Sequence, residues 1–218
     1  DLRTPLTDIS GSADRLMQQE SALDAASRKK LYTAIYDDTN RLLNMTENLL
    51  AVTHLETEKE SVPMSPERIE NLFQSAVAQL DRRAAEHRIS VHLEDAALVA
   101  AMNPKLIQRV IINIMNNAMQ YTPKGSHIEL SGVKKGNAVE ISVTDDGPGI
   151  PQDAKSHLFD LFYTAGQGKA DCQRGLGLGL NLCQSIVALH GGKIEVSDHL
   201  PAGTTFRFTL PLVSSEKR

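Results

Sequence analysis

Several short stretches of the chain are rich in apolar residues, some of which alternate with polar ones as in strands that bury one face. The predicted strands are residues 89–93, 98–102, 128–133, 138–144, 193–196 and 205–210. The third and fourth of these are separated only by Lys134-Lys135-Gly136-Asn137, which indicates a hairpin. We therefore expect a sheet that presents one apolar face to a core.

Longer stretches carry apolar residues three and four positions apart, which is the spacing of one face of a helix. The predicted helices are residues 4–20, 27–56, 67–86 and 178–189, together with one that begins at Asn103-Pro104. Helices that cover one face of a sheet give an α+β fold, here a two-layer α/β sandwich. The two N-terminal helices precede this sandwich as an antiparallel hairpin.

The second helix repeats its apolar residues at alternating steps of four and three, with one polar member. This heptad seam consists of Leu31, Ile35, Asp38, Leu42, Met45, Leu49 and Val52. Two arrangements remain open for it. The seam packs within the hairpin, or it joins a second copy of the chain in a four-helix bundle, which we favour.

Charged residues and prolines divide the chain into two parts. Residues 56–60 are mostly charged, and residues 61–66 contain two prolines, which disfavour helix before them. We predict a helical hairpin over residues 1–60, a linker over 61–66, an α/β domain over 67–213 and a tail over 214–218.

Composition narrows the classes of function. The 218 residues carry a net charge of −4, which gives no bulk attraction to nucleic acid. The two cysteines, Cys172 and Cys183, have neither metal-site spacing nor a disulfide framework, which favours a reducing compartment. No run of 18 apolar residues occurs, so we expect no membrane segment in this chain and a cytoplasmic location for it.

Two glycine clusters suggest a nucleotide site. Asp145-Asp146-Gly147-Pro148-Gly149-Ile150 follows a predicted strand, and Gly175-Leu176-Gly177-Leu178-Gly179-Leu180 opens a predicted helix. Glycine lets a ligand approach the main chain, and the N–H groups at a helix start bind phosphate oxygens. Neither cluster is the dinucleotide fingerprint or a P-loop, and a turn explains either one taken alone.

Asparagines occur in the middle of the helix that begins at Asn103. Asn113 and Asn117 are four positions apart and so share a face, although asparagine is a mediocre helix former. An exposed polar stripe is one interpretation. The other is a pair of amides facing a site, where an amide oxygen suits Mg²⁺.

The asparagine-bearing helix and the two glycine clusters together resemble the N, G1 and G2 boxes of the histidine kinase ATP-binding domain. This domain belongs to the superfamily of gyrase, Hsp90, histidine kinases and MutL. Residues 158–163, Leu-Phe-Asp-Leu-Phe-Tyr, resemble the F box, and residues 203–206, Gly-Thr-Thr-Phe, resemble the last glycine motif. The opening Asp-Leu-Arg-Thr-Pro-Leu-Thr resembles the H box, read from the residue after its phosphoacceptor histidine. The resemblance spans nearly the whole chain. The sequences of its motifs are similar to those of the potassium-responsive sensor kinases.

The resemblance implies that ATP and Mg²⁺ bind in the second domain. Asp145 would accept a hydrogen bond from the adenine amine and so select ATP over GTP, because an ionised carboxylate only accepts. Asn117 would be the Mg²⁺ ligand and Asn113 its supporting neighbour. The other residues implied in ATP binding are Gln120, Tyr121, Gly147, Gly149, Ile150, Phe159, Phe162, Lys169, Arg174, Gly175, Leu176, Gly177, Leu178, Gly179 and Thr205. Residues 164–174 would form a mobile lid.

The resemblance also implies the reaction, a transfer of the γ-phosphoryl group to a histidine and then to an aspartate of a response-regulator receiver domain. The histidine would immediately precede Asp1, so we expect the chain as given to lack it. Asp1 would be its general base, and Thr4 would position water when the regulator is dephosphorylated. We expect His54 to be a surface or seam residue. A homodimer and a bacterial full-length protein anchored in the membrane are further expectations.

Three positions depart from the family's usual pattern. Gln120 stands where lysine is common, Thr164 where arginine often follows the F box, and Leu176 where threonine or serine is usual. These departures leave a scaffold or nucleotide sensor as an alternative. An ATP-driven conformational machine of the same superfamily is a second alternative, but there a water-activating glutamate occupies the position of Asn113.

Overall fold

The computed structural model describes residues 2–19, 22–57, 62–80, 82–161, 163, 177 and 179–213. The helices in these ranges are α1 (Arg3–Gln19), α2 (Ala25–Thr57), α3 (Ile69–Ala78), α4 (Pro104–Tyr121), α5 (Gln152–Lys155) and α6 (Gly179–Leu189), with a 3₁₀ turn at Arg82–Glu86. The strands are β1 (Ser65–Arg68), β2 (Arg88–Leu93), β3 (Val99–Met102), β4 (His127–Lys135), β5 (Ala138–Asp145), β6 (Ile194–Asp198) and β7 (Thr204–Pro211).

Five strands form the main sheet, in the order β2-β4-β5-β7-β6. β2 and β4 are parallel, whereas the other neighbours are antiparallel, and β4 and β5 form the predicted hairpin. Every second residue of β4, β5 and β7 is buried along most of each strand, as the alternation predicted. The buried face packs with α4 and α6 into one core to which α3 also contributes, so the predicted two-layer α+β fold is confirmed.

The opposite face of the sheet is polar and half-buried. Hydroxyl groups pair across neighbouring strands there, between Ser131 and Ser142 at 2.8 Å and between Thr144 and Thr205 at 3.1 Å. Successive side chains of a strand point to opposite faces, so Asp145 lies on the buried face, at the end of β5. The fold therefore places this carboxylate against the helical layer.

The prediction of one helix over residues 67–86 is wrong at both ends. Ser65–Arg68 is a strand because it pairs antiparallel with β3, in a register that joins Ser65 to Met102, and this strand includes two residues of the predicted linker. The chain then enters α3, where the Ile69 N–H donates to the Leu98 carbonyl at 3.0 Å, and α3 ends at Ala78. The partners of β1 are distant in sequence, and so a local pattern could not reveal them.

The N-terminal hairpin consists of α1 and α2, which pack against each other. The first four seam residues of α2 are half-buried, and the side chains of Met45, Leu49 and Val52 lie outside the described residues. Three other apolar or aromatic side chains of α2 stay exposed, namely Tyr32, Tyr36 and Leu43 at 58%, 49% and 54%. In the described part of the chain, no helix combines the length and apolar character needed to cross a membrane.

Candidate nucleotide-binding site

Asp145 forms the centre of the candidate site. It ends β5 next to the first glycine cluster, and its side chain is only 7% exposed. The Gly147 N–H and the Thr204 N–H both donate to Oδ1 of Asp145, at 3.0 and 3.3 Å. These two hydrogen bonds hold the carboxylate in one orientation and leave Oδ2 for a ligand.

The environment of Asp145 also sets its titration. Burial raises the pKa of the Asp145 carboxyl group above its usual value of 3.8, whereas the hydrogen bonds from Gly147 and Thr204 act in the opposite direction. The carboxylate is thus held in a partly desolvated position, where an amine donor of a ligand would replace the lost water. A buried acceptor of this kind discriminates strongly between ligands that donate and ligands that do not.

Glycine is required where the backbone closes around Asp145. A Cβ on Gly147 would lie 2.6 Å from Cγ2 of Thr122 and 2.9 Å from Oδ1 of Asp145. Gly149 has a φ of 78°, in the region that disfavours side chains. The first glycine cluster therefore packs closely against the end of α4 and the acidic side chain.

A cleft of about 690 Å³ opens beside this loop. Its walls are residues 120–126, which comprise the end of α4 and the loop after it, and residues 146–148 of the first glycine cluster. Three residues predicted to contact ATP line it, namely Gln120, Tyr121 and Gly147. Tyr121 is 54% exposed, so its ring is accessible to a ligand in the cleft. The volume is in the range of small-molecule sites.

α4 carries the predicted amide pair and begins as its sequence suggested. Asn103 caps the helix by accepting from the Leu106 N–H at 3.2 Å, and Pro104 occupies the first turn. Asn113 and Asn117 are both half-buried on this helix. A Cβ on Gly179, the first residue of α6, would lie 3.9 Å from Nδ2 of Asn113. The structure thus brings Asn113 to the end of the second glycine cluster.

Cys183 lies beside Asn113 in the interface of α4 and α6. Burial raises the pKa of the Cys183 thiol to about 12, although the Asn113 amide acts against this shift. The thiol donates to the Val110 carbonyl at 3.8 Å, and so it is a packed, un-ionised group. Nδ2 of Asn113 is buried and lies next to both this thiol and the start of α6.

The other predicted residues are distributed as follows. Ile150 and Phe159 pack against the core, Gly177 has a φ of 67°, and Thr4 is exposed in the first turn of α1. Thr205 points to the opposite face of the sheet, where its hydroxyl pairs with Thr144, and the adjacent Thr204 is the residue that contacts Asp145. Seven predicted residues lie outside the described part of the chain: Asp1, Phe162, Lys169, Arg174, Gly175, Leu176 and Leu178.

Two contacts of the site were missed in the sequence. Thr204 belongs to the motif that was recognised, but only the register of β7 against β5 decides which threonine faces Asp145. Asn181 in the first turn of α6 donates to the Phe159 carbonyl at 2.9 Å and so joins the F box to α6. No sequence signal marks this second contact.

Gly203→Ala should destabilise the protein by about 3 kcal/mol, because the new Cβ would overlap the Asp145 carbonyl oxygen at a φ of 129°. Gly136→Ala is the matched control. Gly136 also has a positive φ, of 61°, but a Cβ there meets nothing within 4 Å, so we expect a loss of about 1 kcal/mol. Urea unfolding of both variants measures the difference, and equal losses would contradict the close contact at Gly203.

Two family models match the chain. The model described as "Histidine kinase-, DNA gyrase B-, and HSP90-like ATPase" matches residues 102–214, and the model described as "His Kinase A (phospho-acceptor) domain" matches residues 1–58. The first range contains Asp145, both glycine clusters and the asparagines of α4. The second contains the helical hairpin.

Curated relatives cover nearly the whole chain. The sensor protein KdpD of Clostridium acetobutylicum is 36% identical over 211 residues, which are 97% of this chain and 23% of KdpD. The signal transduction histidine-protein kinase ArlS of Staphylococcus epidermidis is 30% identical over 219 residues, which are 98% of this chain and 47% of ArlS. The chain therefore spans less than half the length of either relative.

Solved structures show the same fold. The histidine kinase AdeS of Acinetobacter baumannii superposes with a TM-score of 0.72 at 19% identity, over 97% of this chain and 96% of AdeS. The histidine kinase ThkA, solved in complex with the response regulator protein TrrA, superposes with a TM-score of 0.71 at 24% identity, over 99% of this chain and 60% of ThkA. One family model matches the part of the chain with Asp145 and the asparagine helix, and the other matches the helical hairpin, so this chain belongs to the histidine kinase family.

Proposed function

We propose that this chain is the kinase core of a two-component sensor, which binds ATP with Mg²⁺ and transfers the γ-phosphoryl group to a histidine and then to an aspartate of a response regulator. The observation that carries the proposal is the orientation of Asp145. Two backbone N–H groups hold its Oδ1, so that Oδ2 is left to accept from the exocyclic amine of adenine. Guanine has an oxygen at the corresponding place, and two acceptors would face each other.

The phosphate end of ATP fits the other end of the same site. Gly179 begins α6, where free N–H groups and the helix dipole favour an anion. Nδ2 of Asn113 lies beside this helix start and is a donor suited to a phosphate oxygen. We therefore assign Asn113 to the phosphates, which gives it a more direct role than supporting a metal ligand.

Mg²⁺ fits the side-chain chemistry of Asn117. Asn117 follows Asn113 by one helical turn and is half-buried on α4. Its amide oxygen is a hard ligand of the type that Mg²⁺ accepts, and Mg²⁺ usually completes its shell with water and substrate phosphates. The metal would neutralise phosphate charge during transfer, while Asn117 holds it next to Asn113.

The proposed partners are a response-regulator receiver domain and a second copy of the chain. ThkA was solved with the regulator TrrA, and that kinase shares the fold of this chain. For the homodimer, the exposed stripe of Tyr32, Tyr36 and Leu43 on α2 supports a helix-to-helix contact beyond the hairpin. The described seam residues are half-buried whereas the stripe is exposed, so we place the dimer contact on the exposed stripe. The membrane anchor of the full-length protein stays a prediction.

Phosphotransfer is the direct test of the proposed function. A chain extended by a helical turn that ends in histidine immediately before Asp1 should become labelled from γ-labelled ATP and Mg²⁺, with the acid-labile, base-stable behaviour of phosphohistidine. Transfer requires a nucleophile in line with the γ-phosphate, and Asp1 cannot replace an imidazole in that role.

The matched control carries glutamine in place of the added histidine. It should bind ATP equally well but remain unlabelled. Label on His54 or another histidine of the control would show that the phosphoacceptor has been misidentified. An extended chain that binds ATP but never becomes labelled would favour a nucleotide sensor or scaffold.

A further inference from the structure

His190 joins the two helices of the candidate site at the end remote from the ligand. It follows α6 directly and is 4% exposed. Its Nδ1–H donates to the Ile186 carbonyl at 2.7 Å, and its Nε2 accepts from the Asn103 N–H at 3.0 Å. Because Nε2 must accept while Nδ1 donates, this pair of hydrogen bonds selects one tautomer of the neutral ring.

The contact with Asn103 fixes the start of α4. Asn103 is the N-cap of that helix, where its side chain accepts from the Leu106 N–H. Its own N–H precedes the first turn, is part-buried, and has Nε2 of His190 as its acceptor. The imidazole therefore completes the capping of α4 from a different helix.

α4 and α6 touch at three successive levels. Asn103 meets His190, the Val110 carbonyl meets the Cys183 thiol, and Asn113 meets Gly179. These contacts run in opposite order along the two helices, so the helices are antiparallel. The first level is one directional hydrogen bond between the helices, from the Asn103 N–H to Nε2 of His190, and the third is the phosphate end of the candidate site. The register set at the first level is thus carried to the third by two rigid helices.

We propose that His190 is a positioning residue, which as a neutral imidazole holds α4 and α6 in the register that places Asn113 against the start of α6. This inference rests on the proposed function, since the site that it positions is the ATP site. A protonated ring would direct a second N–H at the Asn103 N–H, and the contact would be lost. ATP binding should therefore weaken in acid through His190 itself.

The surroundings of His190 agree with a neutral ring. Burial lowers its pKa below 6.5, and the Ile186 carbonyl acts against this shift. Arg109 and Cys183 are further titratable groups of the α4–α6 interface, at the level of Val110. Lys105 and Lys193 are exposed near the two helix ends. A lowered histidine pKa means that the stabilisation is complete above pH 6.5 and is lost as the pH falls below it.

The test compares the 218-residue chain with His190→Gln and His190→Leu by calorimetric titration with ATP and Mg²⁺ between pH 5.5 and 8. The glutamine side chain of His190→Gln can accept from the Asn103 N–H but does not ionise. We expect this variant to bind ATP like the parent at pH 8, whereas the leucine variant binds about threefold to tenfold more weakly. As the pH falls through the lowered pKa of His190, the parent should lose affinity relative to the glutamine variant.

Other pH effects are common to the parent and to His190→Gln, so they cancel in the ratio of the ATP affinities of these two proteins. They include the titration of the ATP phosphates and of Asp145. His92→Gln, the same change at an exposed position of β2, should leave the pH profile of the parent unaltered. Should the leucine variant fail to fold, the ratio of the parent to the glutamine variant still decides the question.

The outcomes separate the two proposals. If the parent binds ATP but loses affinity in acid in parallel with His190→Gln, the positioning role of His190 is wrong. A leucine variant that is less stable but binds ATP with unchanged affinity would likewise reduce His190 to a structural residue. If the parent binds no ATP at any pH, the proposed function itself fails.

Discussion

Asp145→Asn should fold normally and bind ATP about tenfold to a hundredfold more weakly than the parent, which corresponds to the roughly 1–3 kcal/mol lost when a buried polar group is left mispaired. The Gly147 and Thr204 N–H groups require an acceptor, so the amide oxygen of asparagine takes the place of Oδ1. The amide nitrogen then takes the place of Oδ2, and its N–H groups face the amine of adenine. Two donors cannot form the hydrogen bond that one donor and one acceptor formed.

Stability should change in the opposite direction to binding. Burial raises the pKa of the Asp145 carboxyl group, so its contribution to stability is complete below the unfolded pKa near 3.8 and is lost as the pH rises through the raised value. At neutral pH the neutral amide avoids this penalty. The unfolding temperature of Asp145→Asn should therefore be no lower than that of the parent, which separates a binding defect from a folding defect.

Asp95→Asn is the matched control for this experiment. Asp95 is exposed, lies outside the walls of the cleft, and accepts from the Ala97 N–H at 2.8 Å, a hydrogen bond that asparagine can keep. We expect this variant to bind ATP like the parent in calorimetric titration. The parent should also bind ATP more tightly than GTP. Equal ATP affinity of Asp145→Asn and the parent, or a parent that prefers GTP, would refute the assignment of Asp145.

Asn117→Ala should remove the dependence of ATP binding on Mg²⁺ and lower phosphotransfer by at least about a hundredfold, because even the residues that support a metal ligand contribute tenfold to a hundredfold. Asn117 is half-buried, so its truncation removes little core volume. Circular dichroism should show an intact fold. The measurements are titration of ATP with and without Mg²⁺ and labelling of the histidine-extended chain.

Asn116→Ala provides the control for the metal site. Asn116 is adjacent on α4, and its buried Oδ1 has no hydrogen-bond partner in the described part of the chain, so the same truncation breaks no described contact there. We expect it to retain Mg²⁺-dependent binding and transfer. An Asn116→Ala variant that loses both as completely as Asn117→Ala would show that the amides act through helix packing and not through a metal.

The sequence by itself determined most of the elements and predicted the centre of the candidate site. The strands alternate apolar and polar residues, and the hairpin of β4 and β5 follows from that alternation together with its turn. Asp145 and Gly147 were predicted because the two glycine clusters and the asparagine-bearing helix together resemble the boxes of the histidine kinase ATP-binding domain. Such features depend on neighbours in the chain, and so local pattern and motif are sufficient to find them.

Tertiary structure decided the features whose partners are remote in sequence. Ser65–Arg68 is a strand only because β3 supplies its hydrogen bonds, and Thr204 faces Asp145 in place of Thr205 only because β7 pairs with β5 in one register. Likewise, His190 reaches the start of α4 across 87 residues. A backbone or buried polar group must find a partner wherever the fold provides one, and local propensity contains no information about which distant group that will be.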